Sequence, residues 1–284
     1  MKKIALVTAR DVGPLDEDME PLKAAVRAEG AEADVVAWDD PAADWGAYVL
    51  AVVRSTWNYV GRRDEFLAWA ERVERLTALA NPASVLRWNT DKHYLRELAA
   101  AGVSTVPTAV LEASDPVRLP FPGELVVKPA IGAGSMDAAR YSAGDRAAAE
   151  AHIRRLQAAG RSVLVQPYLG RVDQAGETAL VYIAGEYSHA IRKGPMLRPD
   201  SRVMGGLFLE EEIRAREATL AERAVAEVAL RAAPKRLLYA RVDVIPGPEG
   251  EPLILEFEAT EPSLFFRHSD GAAGRFARAA LARC

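Results

Sequence analysis

The chain has 284 residues, half of them apolar and 27% charged, as expected of a soluble globular protein with more than one core. A net charge of -4 leaves no electrostatic footprint for nucleic acid or an anionic membrane, and no apolar run reaches the length of a spanning helix. Cys284 is the only cysteine, so no disulfide can form within the chain. The N-terminal residues lack the apolar core of a secretory signal, which makes a reducing cytoplasm the expected compartment.

Taken in order, residues 4–7 read as a buried strand and residues 21–29 as a helix closed by Gly30. Residues 33–38 and 48–53 are further apolar strands, and residues 64–75 a second helix. This alternation predicts a small parallel α/β layer over roughly the first 85 residues. The turn from Thr8 to Gly13 lacks the glycine spacing of a dinucleotide site, and no Walker-type loop occurs. Asn89, Thr90 and Asp91 are expected to cap a helix that carries Lys92, Tyr94, Leu95 and Leu98 and ends at Gly102. The Pro-rich residues 116–122 read as a connection within a domain.

A strand over residues 125–128 leads into a loop holding Gly132, Gly134 and Ser135; a helix over residues 146–159 and a strand over 163–166 follow. Residues 178–183 and 187–192 pair around Ala184, Gly185 and Glu186, and a long helix is expected over residues 210–232. The last strands are the most informative. Arg241 and Asp243 share one face of a strand and Glu256 and Glu258 one face of the next, with Pro246, Gly247, Pro248 and Gly250 turning between them. Three carboxylates gathered there would repel one another unless a cation sits among them, and hard oxygen ligands suit magnesium with substrate phosphates.

Single residues weigh less. Lys128, ending an apolar strand beside a Gly-x-Gly-Ser loop, can meet phosphates or point into water. Gln166, Tyr168 and Leu169 fit an adenine-binding hinge, or simply a strand end marked by Pro167. His189 and His268 are candidates for substrate contact, but the histidines show no metal-ligand spacing. No serine sits in a nucleophile elbow. The segment Arg54, Ser55, Thr56, Trp57, Asn58 and Tyr59 follows a strand at the edge where open α/β sheets bind ligands; its aromatic residues serve equally well as packing anchors.

In the order of a lysine helix, a strand lysine with a glycine loop, a hinge, a basic strand, then Asp and Glu-x-Glu, the chain resembles the ATP-grasp superfamily. The resemblance covers nearly the whole length and follows the glutathione-synthetase layout. It implies an α/β ATP-grasp fold, with an N-terminal parallel α/β layer plus two α+β subdomains clasping ATP. The divisions fall at residues 1–88 for the substrate domain, 89–170 for the central subdomain with the glycine loop, and 171–284 for the subdomain with the metal site. The family's ATP lysines fall on Lys92 and Lys128 and its metal ligands on Asp243, Glu256 and Glu258, the last standing where asparagine is usual. Arg241, Arg192 and Lys193 would stabilise charge on the transferring phosphoryl group.

The stretch from Val53 to Tyr59, with Asn81, Pro82 and residues 87–92, resembles the branch containing the cycloserine-forming O-ureido-serine cyclo-ligase. That implies ATP and Mg2+ as cofactors and a small amino-acid-like substrate held by residues 54–59 and His189. It implies cyclisation of O-ureido-serine through an acyl phosphate. An intermolecular carboxylate–amine ligase and a non-catalytic ATP-binding regulator are the rival readings; a homo-oligomer is left open. The intact carboxylate set argues against the regulator, because binding alone does not need it.

Overall fold

The computed structural model describes residues 1–12, 15–195, 197 and 212–284. The first layer runs β1 (Lys3–Thr8), α1 (Met19–Ala28), β2 (Glu32–Ala37), β3 (Leu50–Ser55), α2 (Arg63–Glu74), β4 (Ala78–Ala80) and α3 (Ala83–Asn89). Its sheet is parallel in the order β2-β1-β3-β4. Parallel strands covered on both faces need apolar residues at every position. Accordingly Ile4, Leu6, Leu50 and Val52 pack with Leu22 and Val26 of α1, while Ala5, Val7, Ala51 and Val53 meet Phe66, Trp69 and Val73 of α2.

The second sheet is built from β5 (Ala109–Leu111), β6 (Leu125–Pro129), β7 (Ala139–Tyr141) and β8 (Val163–Pro167), in the antiparallel order β5-β8-β6-β7. Helix α4 (Tyr94–Ala100) precedes it, and α5 (Arg146–Ala158) covers one face through Ala149, Ile153 and Leu156. Leu125 and Val127 of β6 point to that helix, which turns Val126 and Lys128 to the opposite face.

The helix expected after Asp91 starts late, and another precedes it. α3 stops at Asn89 and α4 starts at Tyr94, leaving Lys92 at the junction rather than in a first turn. The Asn89 side chain is used elsewhere, on the backbone of Phe257 and Ala259, and so does not cap. The Lys92 amide instead donates to the Ala130 carbonyl at 2.9 Å, tying the junction to the second sheet.

The third sheet follows α6 (Val172–Ala175) and contains β9 (Glu177–Ile183), β10 (Glu186–Lys193), β11 (Ile213–Arg216), β12 (Tyr239–Pro246) and β13 (Pro252–Glu258). Its order is β11-β10-β9-β12-β13, antiparallel throughout. Helix α7 (Leu220–Ala232) begins ten residues later than expected. Thr219 and Glu222 form a reciprocal capping box there, and residues 213–216 are strand; residues 210 and 211 lie outside the described residues. The final helix, α8 (Ala272–Leu281), returns to the first layer, where Phe276 and Ala277 join the core around Ile4, Leu6 and Leu22. No helix among the described residues is long and apolar enough to cross a membrane.

Candidate active site

β13 is the outer strand of its sheet, so one row of its backbone groups has no strand partner. Segments from elsewhere in the chain satisfy that row. Ile254 exchanges hydrogen bonds with Ser104 and Val106, and the Tyr94 hydroxyl accepts from the Phe257 amide. Buried Asn89 donates to the Phe257 carbonyl at 2.7 Å and accepts from the Ala259 amide at 2.6 Å. Asn81 donates to the carbonyls of Tyr239 and Ala259 and accepts from the Leu238 amide. A strand clamped this way presents its alternate side chains, Glu256 and Glu258, at fixed positions.

Those two carboxylates open into a cavity of about 650 Å³ between the three sheets. Lys92 pairs with Glu256 at 2.9 Å and also donates to the Gly132 carbonyl at 2.8 Å. Burial would raise the Glu256 carboxyl, but the charges of Lys92 and Lys128 outweigh it and hold it down at about 2. Glu258 pairs with Arg241 yet is pushed up to about 7 by burial and by neighbouring Asp243 and Glu256. Lys128 lines the cavity; burial, aided by Lys92, depresses its ammonium, and no hydrogen bond reaches it among the described residues.

Asp243, expected as a metal ligand, does not line the cavity. Its Oδ1 accepts from Arg241 Nε and its Oδ2 from Arg241 Nη2 and Lys193 Nζ, each at 2.8 Å, and it is 1% exposed. The two cations outweigh burial and keep it ionised to well below the usual carboxylate range. Among the described residues no three acidic, histidine or cysteine side chains gather to hold a metal. Lys193 also pairs with Glu177, so this network fixes Arg241 from behind.

The glycine loop and the hinge both reach the cavity, through Gly132, Gly134, Ser135, Gln166, Tyr168 and Leu169. Gly134 and Ser135 have positive φ of 59° and 60°, a conformation that turns loop amides toward one point. Gln166 donates to Thr108, and Arg140 lies 3.4 Å over the Tyr168 ring, so the hinge is braced by side chains.

Several expected site residues do not reach the cavity. Arg192 donates to the carbonyls of Ala175 and Gln174, where Gly176, at φ +74°, lets the strands approach too closely for a Cβ. Arg54 is 1% exposed and pairs with Asp18 at 3.3 Å, while Asp18 accepts the amides of Leu264, Phe265 and Phe266. Ser55 donates to Thr8, Thr56 is fully buried, and Asn58 bridges Trp38 and Asp39. His189 contacts Ser188 and the Leu264 carbonyl. Arg192 was expected to stabilise phosphoryl charge and the others to contact substrate; the bonds of Arg54, Ser55 and Asn58 instead tie the first layer together, and His189 is tied to the segment after β13. Trp57, Tyr59 and His268 do line the cavity.

The family model described as D-cycloserine synthetase DcsG, N-terminal domain matches residues 4–81. The cycloserine biosynthesis protein DcsG of Streptomyces lavendulae is 41% identical over 99% of this chain and 98% of its own length. This chain belongs to the DcsG family. The crystal structure of D-cycloserine synthetase DcsG superposes with a TM-score of 0.92 at 40% identity, covering 99% of this chain and 100% of that one. The ATP-grasp ligase PsnB, solved with minimal precursor variant, Mg and ADP, has a TM-score of 0.64 at 20% identity over 100% and 99% of the two chains. The fold is thus that of the ATP-grasp ligases, and the protein is an ATP-dependent ligase forming a C–N bond.

Within this DcsG relative, the donor set fits magnesium. Glu256 and Glu258 offer hard oxygens on one face of β13, and Mg2+ commonly takes one or two carboxylates and completes its shell with phosphates and water. Sequence reasoning also passed over Glu261, Ser263 and Phe265, which line the same cavity just beyond β13. The signal for Glu261 was a third acid placed directly before Pro262.

Proposed function

We propose that this ligase phosphorylates the carboxylate of O-ureido-serine with ATP and closes the product on the substrate's own nitrogen, releasing ADP. The observation that carries the reading is one cavity joining Lys92, Lys128, Glu256 and Glu258 to Trp57, Tyr59 and Glu261. Likeness to DcsG over the whole chain favours cyclisation over an intermolecular bond. Lys92 and Lys128 neutralise the nucleotide phosphates, the loop from Gly132 to Ser135 closes over them, and Gln166, Tyr168 and Leu169 flank the adenine. Glu256 and Glu258 would hold Mg2+, which neutralises phosphate charge when bound.

Arg241, oriented by Asp243 and Lys193, stabilises charge at the reacting carboxylate. The carboxylate oxygen takes the γ-phosphoryl group; the nitrogen bonded to oxygen then attacks the acyl carbon, loses a proton and expels phosphate. Holding both reacting groups in one molecule removes the entropic cost of a second encounter. Cycloserine carries no carbamoyl group, so the whole reaction includes its hydrolytic loss from the ring nitrogen. The cytoplasm, where ATP is available, is the compartment that fits this chemistry. Substrate labelled with oxygen-18 in its carboxylate tests the acyl phosphate: one label atom should appear in the released phosphate, and unlabelled phosphate rejects the route.

A further inference from the structure

Six carboxylates line the cavity, and five of them have a cationic partner: Glu17 with Arg267, Asp18 with Arg54, Glu177 with Lys193, Glu256 with Lys92 and Glu258 with Arg241. The sixth is Glu261. No ion pair reaches it among the described residues; its carboxylate accepts a hydrogen bond from the Tyr59 hydroxyl. Its carbonyl accepts from Trp57 Nε1 at 3.3 Å, so the residue is fixed against the first layer. Arg241 grips the chain on either side, donating to the Glu258 carboxylate and to the Ser263 carbonyl at 3.2 Å, without pairing to Glu261 itself.

A half-buried carboxylate with no counter-charge is costly, and the cost disappears when a cation arrives. Burial and the repulsion of Glu258 push the Glu261 carboxyl up to about 8, against the hydrogen bond from Tyr59. The position limits what the cation can be. The nitrogen of an α-amino acid lies only about 2.5 Å from its carboxyl carbon. With that carboxylate held at Arg241, the ammonium falls beside the wall formed by residues 258–263.

Resting on the proposed ligase reading, we propose that Glu261 is the counter-charge for the primary ammonium of the substrate and makes the enzyme selective for α-amino carboxylates. ATP and its metal occupy the lysine end and leave Glu261 free for this contact. Tyr59 sets the rotamer of the carboxylate and keeps water from one of its oxygens.

The test compares the wild type with Glu261→Gln and Glu261→Asp. ADP release is measured at saturating ATP and Mg2+ on a panel of α-amino carboxylates including O-ureido-serine, and on their desamino counterparts. In Glu261→Gln the Michaelis constant for the amino substrate should rise about 10- to 100-fold, with that for ATP unchanged. The preference for amino over desamino substrate should collapse to a few-fold, and Glu261→Asp should restore part of it. Unaltered binding of ADP with Mg2+ and a thermal midpoint no lower than that of the wild type show that the variants are folded. Retained discrimination in Glu261→Gln overturns the proposal. So does a fall in kcat at constant Michaelis constant, which would mark a proton acceptor, or a shifted Mg2+ requirement, which would mark a metal ligand. A wild type inactive on the whole panel sinks the ligase reading together with this one, whereas an active wild type with unchanged discrimination sinks this one alone.

Discussion

The two ends of the cavity are charged in opposite styles. At the lysine end nearly every charge is matched: Glu256 by Lys92, Asp243 by Arg241 and Lys193, while Lys128 is a desolvated cation with no ion pair among the described residues. At the other end aromatic Trp57 and Tyr59 enclose Glu261, a carboxyl that has no ion-pair partner among the described residues. A ligand negative at one end and positive at the other completes both. A nucleotide phosphate next to an amino acid has that polarity, which is how a single cavity can order two reactants along one axis.

The comparison breaks first at Glu256. Glu256→Gln should lower turnover by about 100-fold or more, roughly 3 kcal/mol of transition-state stabilisation, with the fold intact; near-normal ADP release would remove Glu256 from the phosphate end. Asn89→Ala leaves the Phe257 carbonyl and Ala259 amide unpaired in a buried site, so chemical denaturation should show a loss of about 2–3 kcal/mol. Wild-type stability in that variant would mean the clamp on β13 is dispensable. Lys128→Ala should weaken ADP binding by about 1.5–3 kcal/mol, or roughly 10- to 100-fold, read by calorimetry.

The unmatched carboxyl gives a pH signature. The folded-state pKa of Glu261, about 8, lies above its unfolded value, so the folded protein holds a proton that the unfolded chain has released. Its contribution to stability is therefore complete below about pH 4.5 and is lost as pH rises toward 8. Because the group is partly exposed at the cavity wall, the effect is on the order of 1 kcal/mol, and the metal-free wild type should melt about 2–4 °C lower at pH 8.5 than at pH 5.5 relative to Glu261→Gln. Parallel melting curves for the two proteins would deny Glu261 its raised pKa. The smallest effect belongs to Asn58→Ala, which should leave the acceptor Michaelis constant within about twofold, because Asn58 bonds Trp38 and Asp39 rather than the cavity.

The lysine end of the cavity was legible in the sequence because its residues follow strand period. Glu256 and Glu258 flank buried Phe257, and Lys128 follows buried Val127, so each face is written locally. The acceptor end was not. Arg54 and His189 have the composition of substrate contacts, yet their partners, Asp18 and the Leu264 carbonyl, lie 36 and 75 residues away in the chain. Asn81 and Asn89 drew notice as motif residues, but their bonds to β12 and β13 span 157 to 178 residues, a distance at which no local pattern carries information. Asp243 was placed on the correct face, while its capture by Lys193 depended on how β10 and β12 flank β9. The late start of α7 was written in Thr219 and Glu222, a capping box that the charged residues before it obscured.

The most direct test supplies ATP, Mg2+ and O-ureido-serine with no second amine, and follows ADP together with the product by mass. The account predicts ADP release matched one for one by the cyclic product. ADP release that begins only when a separate amine is added would contradict it.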